Sequence, residues 1–162
     1  VGLAGCGDGA GEGAAPGRIE IRRANGDPVG PTGDFELEPG SQGGFHIAIQ
    51  LLIDAEARSF FGDRSFHRHI VRRVDDDALL SRREFDVPWT VSERPGWSEL
   101  SRPLFVFLCP TPIGLAAADR ELRVSVSVGE PDEVRPLATT ATVTARCPGG
   151  QPGEFCDRIC RG

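Results

Sequence analysis

From Arg18 onward the apolar residues of this chain fall at alternate positions, in short runs broken by glycine, proline and aspartate. Alternation with a period of two sends one set of side chains to a core and the other to solvent, so the pattern predicts strands. Ile19 and Ile21 alternate with Glu20 and Arg22, and Asn25-Gly26-Asp27-Pro28 then turns the chain. Phe35 and Leu37 alternate with Glu36 and Glu38 in a second short strand. Phe45 to Ile53 is the strongest run: Phe45, Ile47, Ile49, Leu51 and Ile53 share the core face, leaving His46, Ala48, Gln50 and Leu52 on the outer one. Residues 66 to 74 form a further strand ending at the acidic turn Val74-Asp75-Asp76-Asp77-Ala78.

Phe85, Val87, Trp89 and Val91 alternate next, with Pro88 among them marking an edge or a bulge. Leu104 to Leu108 is apolar on both faces and reads as a central strand. Leu122, Val124, Val126 and Val128 alternate with polar residues, as do Leu137, Thr139, Ala141, Val143 and Ala145. The only helical segment this pattern suggests is a short turn near Ala116 to Asp119. Seven or eight strands of this kind predict an all-β domain, an immunoglobulin-like two-sheet sandwich, with a jelly roll or small barrel as the alternative. If Leu104–Leu108, Glu121–Val128 and Ala138–Arg146 form an antiparallel meander, Cys109 and Cys147 finish at one edge.

Cysteine usage adds a covalent frame. There are five cysteines. Cys6 closes Leu3-Ala4-Gly5-Cys6, which reads as a lipobox, where small residues admit a signal peptidase and the thiol takes the lipid. Cys109, Cys147, Cys156 and Cys160 are then an even set in an exported chain, predicting two disulfides. Phe155 and Ile159 are too little apolar surface to hold the tail, so each tail cysteine is expected to bond one on the body; Cys109–Cys147 with Cys156–Cys160 stays open. The chain divides into a signal-peptide remnant, lipobox and flexible linker over 1–17, a sandwich over 18–147, and a cysteine-rich tail over 148–162 packed on it.

The net charge of -6 argues against a nucleic-acid partner, which would need a basic face. No apolar run reaches the ~18 residues that span a bilayer. No nucleophile elbow or other catalytic signature stands out, so no catalytic residue and no cofactor is predicted. The chain's three histidines, His46, His67 and His69, lie within one stretch. Were their strands neighbours, the imidazoles could converge on copper or zinc; otherwise they are solvent-facing strand residues in a basic stretch. The three consecutive aspartates lack the spacing of a calcium loop. Trp97 is the better candidate for an exposed contact, and Trp89 for the core.

The order of lipobox, Gly/Ala linker, GSQGGFHIAIQL strand, FVFLCPTP strand and CPGGQPGEFCDRIC tail resembles uncharacterised lipoproteins of GC-rich Gram-negative bacteria. The resemblance implies envelope location and an immunoglobulin-like domain. With the lipobox, the expected place is a lipid anchor at the outer membrane, facing either the periplasm or the outside. Together these features predict a non-enzymatic envelope module that binds a protein or polysaccharide, or decorates a larger assembly. A metal-binding periplasmic lipoprotein using His46, His67 and His69 is the alternative.

Overall fold

A computed structural model describes residues 15–30, 33–129 and 136–161. Its strands are β1 (Ile19–Arg23), β2 (Asp34–Glu36), β3 (Glu38–Pro39), β4 (Phe45–Asp54), β5 (Arg64–Arg73), β6 (Leu79–Val91), β7 (Trp97–Leu100), β8 (Leu104–Cys109), β9 (Glu121–Val128) and β10 (Leu137–Arg146). They form one curled, mostly antiparallel sheet in the order β1-β4-β7-β6-β5-β9-β10-β2, with β3 and β8 also on β4. The fold is all-β, as the alternation predicts.

β6 is the strand that makes the sheet curl. Its long first part pairs with β5 from Leu79 to Pro88, and its last three residues, Trp89 to Val91, pair with β7. Pro88 sits where the partner changes, a place where a missing N–H costs the ladder least. Val87 and Trp89 point inward there, and the indole N–H of Trp89 donates to Ser65 Oγ at 2.7 Å. Val91, grouped with them by alternation, lies past the core and is exposed.

β4 lies at the centre. Nine of its ten residues are buried. The outer face assigned to His46, Ala48, Gln50 and Leu52 is buried too; on this face Phe105 and Phe107 of β8 pack against the His46 ring at 4.6 and 5.2 Å. Buried Gln50 meets its polar requirement by donating to Leu100 O at 3.0 Å. β8 differs from the expected central strand: among the described residues it pairs with β4 alone, and Phe105 on its outer face is exposed. The expected meander is therefore confined to β9 and β10.

Two helices escape the alternation. The first, α1 (Ala55–Phe61), starts at Asp54, whose carboxylate accepts from Ala57 N–H at 3.1 Å, and stops at Gly62 with φ of 77°. The second, α2 (Gly150–Cys160), is the tail itself, burying Gly153, Cys156 and Cys160 on one stripe. No helix forms at Ala116 to Asp119: Ala118 bridges Ala145, and Asp119 takes a left-handed φ of 57°. No helix among the described residues is long and apolar enough to cross a membrane. Leu3-Ala4-Gly5-Cys6, the stretch read as a lipobox, lies outside the described residues. Ala15 is already buried in the core cluster.

The covalent frame is Cys109–Cys160 and Cys147–Cys156, so each tail cysteine bonds one from the body. Helix α2 also runs very close to the chain that leads into it. A side chain at Gly153 would overlap the carbonyl oxygen of Pro148. Gly153→Ala is therefore expected to lower unfolding free energy by about 1–3 kcal/mol, the usual cost of overpacking. Gly30→Ala, where nothing stands within 4 Å of the new atom, serves as the neutral comparison in urea denaturation.

Candidate functional site: an open sheet edge

Among the described residues, one edge of β10 is hydrogen-bonded to another strand only near its end. On one side β10 pairs with β9 from Leu137 to Thr144. On the other, parallel β2 joins only at Thr144 to Arg146. Thr144 N–H donates to Gly33 O at 3.0 Å on that second side. Backbone groups alternate sides along a strand, so those of Ala138 and Thr140 face the same way and meet no strand among the described residues. Across the gap, β1 pairs with β4, and among the described residues its far side carries the one bridge from Arg22 to Pro28.

A groove of about 470 Å³ lies between these two edges. Thr139 to Thr142 line one wall; Ile21 and Val29 contribute the apolar part of the other. Exposed edges are normally blunted by lysine, proline, bulges or inward charges. Leu137-Ala138-Thr139-Thr140-Ala141-Thr142-Val143 has none of these, and its register with β9 is unbroken. Uncharged, β-branched threonines on a straight edge favour the addition of another strand.

The histidines lie elsewhere. On β5 the odd positions Ser65, His67, His69 and Val71 face the core, while Arg64, Arg68 and Arg72 face outward. The solvent-facing reading of the pair is therefore corrected. His67 is fully buried, edge-on to Trp89 at 5.0 Å, with Nε2 3.3 Å from Val87 O. His69 packs on Phe85 at 5.5 Å, and neither of its ring nitrogens meets a partner among the described residues. His46 sits on β4 between Phe105 and Phe107, at 4.6 and 5.2 Å, with Nε2 4.0 Å from Glu38. β7 and β6 separate β4 from β5 in the sheet. The expected convergence on copper or zinc is not what the strands build. Among the described residues the group with three donor atoms within 4.8 Å of one another is Cys147, Cys156 and Cys160, whose sulfurs are in disulfides.

Trp97 is also a correction. It is buried at the start of β7, with the Arg94 guanidinium 4.1 Å and that of Arg18 5.2 Å from its ring centre. Asp75, Asp76 and Asp77 close the β5–β6 turn and are held by arginines. Arg73 reaches Asp75 at 2.6 Å and Asp76 at 3.2 Å, and Arg123 and Arg72 take Asp77. The Arg73 hydrogen bond brings the Asp75 carboxyl down to about 2.

No family model matches the chain, and no curated protein matches it in sequence. Among solved structures it is similar to the CooA pilin subunit from enterotoxigenic Escherichia coli, at 13% identity and a TM-score of 0.39, covering 82% of this chain and 99% of that one.

Burial gives the histidines a measurable consequence. Loss of water around the charged ring lowers the pKa of His67 to about 4, against a weaker opposing pull from Val87 O and Asp86. His69 falls to about 4 as well, from burial and then from the Arg83 charge. The unfolded chain binds these protons near pH 6.5 and the folded chain does not. Stability is therefore full above pH 6.5 and falls as pH drops towards 4, by roughly 3 kcal/mol for each ring. Urea denaturation between pH 7 and 4 measures this; a flat profile over that window contradicts it.

Proposed function

We propose that this protein is a non-enzymatic module of the cell envelope that binds an extended segment of a partner protein by adding it as a strand to the β10 edge. The observation that carries the reading is that, among the described residues, no strand pairs with this edge from Leu137 to Val143, beside a groove of about 470 Å³. Main-chain hydrogen bonds to Ala138 and Thr140 would supply affinity, and the groove would select small or β-branched side chains at alternate positions. A polysaccharide is the less favoured ligand, since Trp97, the ring it would stack on, is covered by two arginines.

The envelope setting rests on two supports. The two disulfides fit an oxidising compartment. The Leu3-Ala4-Gly5-Cys6 motif fits lipid attachment at Cys6, which would hold the domain on a membrane surface, with the outer membrane as the proposed one. In this reading the two halves of the curled sheet, joined by β6, correspond to the sheets of an immunoglobulin-like sandwich.

A library of short extended peptides, screened against the purified domain and mapped by amide NMR, tests the binding claim. Binders should perturb Leu137 to Val143, and Thr140→Pro should abolish them. The Thr140 N–H faces away from β9, so that proline leaves the β9–β10 ladder standing, and the melting temperature should change little. Binders that map to another surface, or catalytic turnover in a broad hydrolase panel, would sink the reading. Mass spectrometry of protein from its native membrane tests the anchor: a chain beginning at acylated Cys6 is expected, and an unmodified Cys6 contradicts it.

A further inference from the structure

The two disulfides stand side by side. Sγ of Cys156 lies 3.6 Å from Sγ of Cys160, although each is bonded to a different body cysteine. Cys156 and Cys160 are fully buried and Cys109 nearly so; Cys147 alone of the four is half-buried. An attacking thiol therefore reaches the pair at Cys147.

We propose that Cys147 is the entry point of a thiol–disulfide exchange relay that unlatches helix α2 from the body in one reducing event. A thiolate of an external dithiol attacks Cys147 Sγ. A mixed disulfide forms at Cys147, and the Cys147–Cys156 bond breaks with its electron pair on Cys156. The Cys156 thiolate, already beside Cys160, attacks Cys160 Sγ. The Cys109–Cys160 bond breaks, a Cys156–Cys160 bond forms, and Cys109 leaves as a thiolate. The second thiol of the reagent then resolves the mixed disulfide, releasing Cys147 as a thiol and the oxidised reagent. Two electrons have entered, one disulfide has been reduced, and the other has moved.

Residues four apart rise roughly 6 Å along a helix, within the Cα spacing a disulfide accepts. Their Cβ atoms stand about 5–6 Å apart in a regular helix, against the ~4 Å a disulfide needs, so the new bond forms as the last turn of α2, which Cys160 ends, unwinds. Neither disulfide between α2 and the body then survives. Beyond the chain through Pro148 and Gly149, the contacts that remain include Cys160 O accepting from Ala117 and Ala118 N–H at 2.8 and 3.0 Å, Thr111 N–H donating to Ile159 O at 3.3 Å, Phe155 against Phe45 at 6.0 Å, and the Arg161–Asp119 ion pair at 2.7 Å. Two independent disulfides would need four electrons for the same release.

Limited reduction of the full, oxidised chain with dithiothreitol, acid quench, alkylation and peptide mass spectrometry tests the relay. The expected two-electron species carries Cys156–Cys160, with Cys109 and Cys147 alkylated. A two-electron species that keeps Cys109–Cys160, with Cys147 and Cys156 alkylated, overturns the proposal. A paired variant, Cys147→Ser with Cys156→Ser, removes the attacking thiol. Its Cys109–Cys160 bond should be reduced about tenfold more slowly than in the native chain, because the buried sulfurs must then be reached from solvent. An unchanged rate contradicts the relay. The native-chain product analysis stands even where the variant fails to fold.

Discussion

The structure depends on covering β4 on both faces. A ten-residue strand with nine buried positions cannot lie at the margin of a flat sheet. One face packs into the core cluster, and the other is shielded by side chains reaching over it, Phe105 and Phe107 against His46 among them. At about 25 cal/mol per Å² of apolar surface, burying Phe45, Ile47, Ile49, Leu51 and Ile53 contributes strongly to the fold. β6 achieves it by changing partners at Pro88, which bends the sheet back over β4.

That curl has a cost, and the cost is where function is proposed. Bringing the ends of the sheet round places β1 and β10 near each other without pairing them. The unpaired backbone of β10 is a liability in a monomer and an asset in a binding module. The same logic explains the tail. α2 packs with little apolar surface of its own, so the two bonds to Cys109 and Cys147 hold it. Their position beside each other couples their chemistry.

Where the sequence was legible, one face met solvent and the other the core. β9 and β10 follow their alternation residue by residue. β4 misled because both of its faces are covered, so alternation of residue types no longer reports exposure. β5 held a readable signal: arginines at 64, 68 and 72 fix the outer face, which puts His67 and His69 inside. β7 was hidden because Trp-Ser-Glu-Leu is too short to show a period. α1 was hidden between two strands, although the Asp54 cap and Gly62 mark its ends, and α2 because its glycines and proline oppose helix formation until the disulfides impose it. The open edge could not be read at all: which flank of a strand goes unpaired is a property of topology, not of the strand's own residues.

Amide hydrogen exchange along β10 is the most direct measure of that edge. If β10 is paired on one side only, the N–H groups of Thr139 and Ala141, which face β9, exchange slowly, while those of Ala138 and Thr140 exchange quickly. Uniform protection from Leu137 to Val143 would mean that the edge is already filled, and would contradict the account.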